Sequence, residues 1–381
     1  MKKLVLSSLS LVLFGAAGVA HAQSSVTLYG LIDTGLSYTS NSSGSSNYQQ
    51  ASGLLNGDRF GLRGSEDLGG GLKAIFVLEN GFNLSTGKLG QNGLEFGRQA
   101  FVGLSSDQYG ALTLGRQYDS VVDYLGPLSL NGTQYGGTLA AHPFDNDNLN
   151  NSVRINNSVK FQSVDYAGLK FGALYGFSNA AGSFANSRAY SVGGSYEFGG
   201  LKVAAGYLQL NGTGSATNSG GAVPTGDSTF NAGSQRTYGA GVNYAFGAAN
   251  VGLVVTQTQL SSATSISSGA SGQTNGLVLT SGSARFTNYE VNARYALTPA
   301  WTLSGAYTYT DASLDGVSPK YQQITLQTDY ALSKRTDVYF EAAFQHVGST
   351  GSSGITADIV GVSASSTDSQ VVGTVGIRHR F

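Results

Sequence analysis

The chain has no cysteine and only 5 prolines among 381 residues. No disulfide can therefore staple it, and no lipid-modified cysteine can tether it. Charge is also scarce: 11% of residues are Asp, Glu, Lys or Arg, against roughly 25% in soluble domains. The 21 basic and 22 acidic side chains nearly cancel, which argues against a nucleic-acid footprint and against a polybasic membrane patch. The few histidines, His142, His346 and His379 beyond the N-terminal segment, show neither metal-ligand spacing nor a recognisable nucleophile partner. No metal, no cofactor and no enzymatic chemistry are expected. Asp145-Asn-Asp147 opens like a calcium loop but lacks the glycine and the closing glutamate. Gly69-Gly-Gly71-Leu-Lys-Ala74 has dinucleotide-like spacing, yet Ile75-Phe-Val-Leu-Glu79 after it reads as strand rather than helix.

Long apolar runs are missing after the first residues. Lys2 and Lys3, the uncharged stretch Leu4 to Ala20 and the small-x-small Ala20-His-Ala22 predict a cleaved signal peptide over 1–22. The folded domain is expected to occupy 23–381. An N-terminal anchor is the alternative, but the stretch is short for a spanning helix, which needs about 20 residues.

What is abundant is glycine (55), tyrosine (21) and phenylalanine (18), set in a period-two rhythm. Tyr289, Val291, Ala293 and Tyr295 alternate with Glu290, Asn292 and Arg294. Ile324, Leu326 and Tyr330 alternate with Gln323, Thr325, Gln327 and Asp329, and the segments 190–198 and 301–309 behave alike. Such alternation marks strands with one apolar and one polar face. Short connections at 66–70, 107–109, 166–168, 199–200, 247–249, 298–299 and 333–335 alternate with long Gly-, Ser- and Asn-rich ones at 211–234, 261–283 and 348–369. Counting between them gives sixteen strands with both chain ends on the short-turn side. Aromatic residues such as Tyr196, Phe198, Tyr244, Phe246 and Trp301 fall near strand ends, where amphipathic rings favour the lipid headgroup level. The expected fold is an all-β transmembrane antiparallel barrel with lipid outside and water within. Val26 to Asp33 carries apolar residues on both faces, a hint that the first strands pack against another subunit.

Several segments resemble the general porins of the betaproteobacterial outer membrane: 24–33, Phe60-Gly-Leu-Arg-Gly-Ser-Glu-Asp-Leu-Gly-Gly-Gly-Leu-Lys73, 96–104, 114–118, 332–339 and Val375-Gly-Ile-Arg-His-Arg-Phe381. The likeness spans essentially all of the mature chain. It implies a sixteen-stranded, trimer-forming barrel in the outer membrane, with a constriction loop after strand five folding into the lumen. It also implies that the terminal Phe381, on its amphipathic strand, is the signal read by the barrel-assembly machinery. The implied function is a water-filled channel for passive diffusion of ions and small hydrophilic solutes. The alternative is a substrate-specific channel with a lumenal binding site. No aromatic ladder lines the inward positions, which favours the general channel.

The stretch 119–153 holds Asp119, Asp123, Asp145 and Asp147 and no Lys or Arg. A connection this long is usually functional or disordered. Arg59 and Arg63 share a strand face by their even spacing. By resemblance, Arg59, Arg98 and Arg154 match the family's basic pore wall, and Lys160 shares the inward parity of Arg154. Loop acids facing wall bases would set a transverse field across the narrowest section. Structural ion pairs that merely hold the loop are the competing expectation.

Overall fold

The computed structural model describes residues 25–381 apart from 215–217, 275 and 352. The expected signal peptide lies outside the described residues.

The strands are β1 (Ser25–Ser42), β2 in two pieces (Ser45–Ser52 and Arg59–Gly69), β3 (Leu72–Gly81), β4 (Gln99–Ser106), β5 (Gly110–Gln117), β6 (Ile155–Ser163), β7 (Leu169–Gly176) and β8 (Ala189–Phe198). They continue as β9 (Leu201–Thr213), β10 (Phe230–Phe246), β11 (Ala249–Ile266), β12 (Leu277–Thr298), β13 (Trp301–Leu314), β14 (Lys320–Ala331), β15 (Thr336–Gly348) and β16 (Ser369–Arg380). Each pairs antiparallel with its neighbour in sequence. β1 also pairs with β16, Leu31 opposite Arg380 through Thr39 opposite Val372, so the sheet closes into a barrel of sixteen strands. The two pieces of β2 count as one, because they pair with successive stretches of the same β1. Closure removes every open edge, which a lipid phase could not hydrogen-bond.

The burial pattern inverts that of a soluble protein. Gln323, Thr325 and Gln327 are buried, whereas Leu326, Val375 and Val26 are 59%, 60% and 64% exposed. A wall whose apolar side chains face out and whose polar ones face in fits lipid outside and water inside. The alternation in 289–295, 301–309 and 323–330 is borne out, except that Arg294, over Tyr135 of the loop, is exposed rather than buried.

Two long loops are shorter than the sequence suggests. β9 and β10 extend into 211–234, and β11 and β12 into 261–283. Ser261 to Ser265 carries no large apolar residue on either face, so no hydrophobic rhythm announces it as strand, and the register slips there.

Inside the barrel, the connection after β5 runs as a π-turn over Val121–Leu125 and short 3-10 turns at Gly126–Leu128, Thr138–Ala140 and Pro143–Asp145. Val121, Leu125, Leu128 and Leu149 pack with Leu174, Ala204, Leu208 and Val254 of the wall. The loop therefore packs against the inner side of the wall from β7 to β11.

Candidate pore constriction

The loop's seat is written into one lateral row of the barrel. Gly172 of β7 faces Gly193 of β8, Gly193 faces Gly206 of β9, and Gly206 faces Gly239 of β10. A Cβ on Gly193 would lie 2.9 Å from the Ser120 carbonyl oxygen, and one on Gly206 3.1 Å from Val121 Cα. The missing side chains let the loop backbone approach the wall. On the next strands the same row turns polar. Thr256 and Asn288 sit in register with Gly239, and the Thr256 hydroxyl donates to Asp147 at 2.5 Å.

All four acids expected in the loop are there, and the wall or the loop itself engages each of them. Asp119 accepts from the Val121 amide at 2.7 Å and from Asn148 Nδ2 at 2.7 Å. Asp145 accepts from the amides of Asn150 and Ser152 at 2.9 and 3.0 Å. Asp147 meets His142 Nδ1 at 2.6 Å, and His142 Nε2 meets Glu290 of β12 at 2.9 Å. Asp123 lies 2.5 Å from Lys160 Nζ, which also donates to the Tyr118 carbonyl at 2.8 Å. Burial raises Asp119 to about 6 and Asp145 to about 7. For His142 burial opposes charge, but Asp147 and Glu290 prevail and lift it to about 10. These contacts match the competing expectation of structural ties.

Opposite the loop, Arg59, Arg98 and Arg154 line one cavity of about 340 Å³. Arg98 donates from Nε to Glu79 at 2.8 Å and from Nη2 to the Tyr118 hydroxyl at 3.2 Å. The Tyr29 hydroxyl donates to the other Glu79 oxygen at 2.8 Å. Glu79 thus sits behind Arg98 and holds it in place. Arg59 donates to the Gly57 carbonyl at 3.0 Å and Arg154 to that of Ser152 at 3.2 Å. Burial and the neighbouring Arg98 lower Arg154 to about 10, which leaves it cationic at neutral pH. The loop contributes Asn131, Thr133, Asn150, Asn151 and Ser152 to the lining, but no carboxylate.

Two of the five expected wall bases are not part of this lining. Lys160 is committed to Asp123. Arg63 lies four residues along β2 from Arg59, roughly 13 Å at strand rise, with its guanidinium 5.2 Å from the Tyr29 ring centre. Residues missed from sequence are Glu79, His142, Glu290 and the glycine row. Glu79 and Glu290 do have inward parity on their strands, the one signal that marked them.

The chain that forms this closed sixteen-stranded barrel is matched by a family model. The Gram-negative porin model aligns with residues 7–350. The chain belongs to the Gram-negative porins. An outer membrane porin protein of Bordetella pertussis is 34% identical over 378 residues, covering 89% of this chain and 93% of its own. Outer membrane porin protein 32 of Delftia acidovorans is 32% identical over 394 residues, covering 100% of both. The solved anion-selective porin from Comamonas acidovorans superposes with a TM-score of 0.74 at 26% identity, over 94% of this chain and 100% of that one. This porin is accordingly an outer-membrane channel.

Proposed function

We propose that this porin is a general, passive channel that prefers small hydrophilic anions over cations. The observation that carries this is the cavity lining. Three arginines line the cavity, and the loop side offers only neutral amide, hydroxyl and apolar groups. The nearby Glu79 is turned toward Arg98 and Tyr29, so its charge offsets only part of the positive field. Fixed charge at a narrow, low-dielectric section concentrates the opposite ion. The expected acid-against-base field gives way in this reading to a one-sided positive field. The solved Comamonas protein described as anion-selective supports the same reading.

Assembly belongs to this reading too. Val26, Leu28 and Leu36 of β1 are large, apolar and exposed on the outer face, a surface suited to subunit contact in a homotrimer, with lipid around the rest. Recognition of Phe381 by the barrel-assembly machinery is kept as part of the proposal.

The test is the reversal potential of purified protein in a planar bilayer under a potassium chloride gradient. The wild type should show the anionic sign, and Arg59→Gln with Arg154→Gln should bring the potential toward zero. The preference should also fade toward ~1 M salt, where the screening length falls to about 3 Å. A cationic sign in the wild type, or an unchanged potential in the double variant, refutes the reading. Concentration-dependent block by one solute class would instead favour a substrate-specific channel.

A further inference from the structure

The constriction loop closes a second cavity, of about 230 Å³, against the wall from β8 to β12. Thr133 borders both this cavity and the arginine one, so the loop stands between them. Glu197 and Lys202 lie four residues along β8 and β9 from Gly193 and Gly206, toward the short turn at 199–200. That is roughly 13 Å at strand rise, which puts the cavity on the short-turn side of the loop.

Three charged side chains line it: Glu197, Lys202 and Arg294. Lys202 is opposite Glu197 in register, yet their charged ends do not meet. Among the described residues, none of the three has an ion-pair partner. Elsewhere in the lumen Glu79, Lys160 and Glu290 are each paired, so this open set is an exception.

The ceiling over these charges is fixed. Asn292 donates to the Leu128 carbonyl at 2.9 Å, and Gln134 Nε2 donates to the Tyr135 hydroxyl at 2.8 Å. The guanidinium of Arg294 lies over the Tyr135 ring at 5.4 Å. A guanidinium stacked on a ring keeps its N–H edge free for a carboxylate. Pro127 and Leu130 add apolar surface to the same ceiling.

The charges follow one order along the wall. Glu197 and Lys202 are lateral neighbours, and Arg294 stands three strands from Lys202, about 14 Å at strand spacing. Both basic side chains are long and line the same cavity, so a molecule with two carboxylates a few bonds apart bridges them.

We propose that this cavity is a binding site for an acidic amino acid, a solute with two carboxylates and one ammonium group. The α-carboxylate sits on Lys202, the ammonium on Glu197 and the second carboxylate on Arg294. Asn250, opposite Arg294 in register, hydrogen-bonds that second carboxylate, and Pro127 with Leu130 covers the methylene stem. The site goes beyond the channel reading and does not depend on the sign of ion selectivity.

A saturation-transfer NMR titration of the purified, detergent-solubilised porin with L-glutamate tests this. Glutarate, 4-aminobutanoate and L-glutamine are the comparators, each lacking one of the three charged groups. The wild type should bind L-glutamate about tenfold more tightly than any of them. Each discrimination should vanish in one variant: against glutarate in Glu197→Gln, against 4-aminobutanoate in Lys202→Gln, and against L-glutamine in Arg294→Gln. Arg294→Lys should keep the last. The double variant Arg59→Gln, Arg154→Gln should bind L-glutamate as the wild type does, which separates this test from that of the channel reading. No binding of L-glutamate by the wild type, or equal binding of glutarate, overturns the proposal. Discrimination that survives all three variants does the same. Loss of binding in the double variant overturns it too, because the solute would then sit in the arginine cavity.

Discussion

His142 of the constriction loop and Glu290 of β12 face each other across 2.9 Å with both side chains wholly buried. Asp147 closes the other side of the imidazole at 2.6 Å, so one cation is held between two carboxylates. Glu290 also accepts from the Ser129 hydroxyl at 2.6 Å and the Leu130 amide at 2.8 Å. This single wall carboxylate thus gathers three points of the loop.

The clamp gives the loop a pH window. The folded value of His142, about 10, exceeds its ordinary 6.5, so its stabilisation is complete below pH 6.5 and is lost as pH rises through about 10. Asp147 behaves oppositely. Burial resists its charge, but His142 overrides that and lowers its pKa, so its contribution holds above about pH 4 and fades on acidification. Wild-type channels should be quiet near pH 7 and noisy near pH 11. His142→Leu leaves two buried carboxylates without their partner, a loss of about 3–5 kcal/mol at the seat, and should be noisy at both. Single-channel recording decides it, and a wild-type trace unchanged between the two pH values contradicts the clamp.

Lys160 and Arg154 do different work, and a pair of substitutions separates them. Lys160 neutralises Asp123, whereas the guanidinium of Arg154 borders the cavity. Removing one charge about 6 Å from the ion path in water changes the energy of each passing ion by roughly 0.7 kcal/mol, with opposite sign for anion and cation, so about tenfold in their permeability ratio. Arg154→Gln should therefore lower the anion-to-cation ratio about tenfold. Lys160→Gln should leave the ratio nearly unchanged and make the loop more susceptible to protease. Equal shifts in the two variants would return Lys160 to the pore wall.

The barrel was legible because its cause is local. Tyr289 to Tyr295 states which face meets lipid by alternation alone, and the short turns state the hairpins. The constriction was legible only in part. Arg59, Arg98 and Arg154 line one cavity, but nothing local distinguishes Asp147, bound to an imidazole, from an acid open to water. That difference depends on Glu290, 143 positions away in the chain. The glycine row was equally hidden, since Gly172, Gly193, Gly206 and Gly239 align only after four strands take their register.

That row yields its own prediction. Gly206→Leu places a side chain where Val121 now lies, and overpacking of this kind costs about 1–3 kcal/mol. The loop should shift toward the three arginines and narrow the path. Conductance should fall while the barrel itself stays folded. Gly373→Ala is the matched control, because a Cβ there meets nothing within 4 Å. If Gly206→Leu conducts like the wild type, the loop does not depend on this close approach.

Phe381 has two separable roles, since its backbone and its ring do different things. Gly30 donates to the Phe381 carbonyl at 3.0 Å, and the Phe381 amide donates back to Gly30 at 3.1 Å. These bonds extend the β1–β16 seam by one pair and contribute about 1 kcal/mol each. The ring is 40% exposed on the outer face and rests over Gly30 of β1. Phe381→Ala keeps both backbone bonds, and protein refolded in detergent should still run as a compact, heat-modifiable band. Deleting Phe381 removes both bonds and should lower the temperature at which that band unfolds. In cells, Phe381→Ala should reduce the amount reaching the outer membrane severalfold if the exposed ring is what the assembly machinery reads. Normal accumulation in cells would confine Phe381 to the seam.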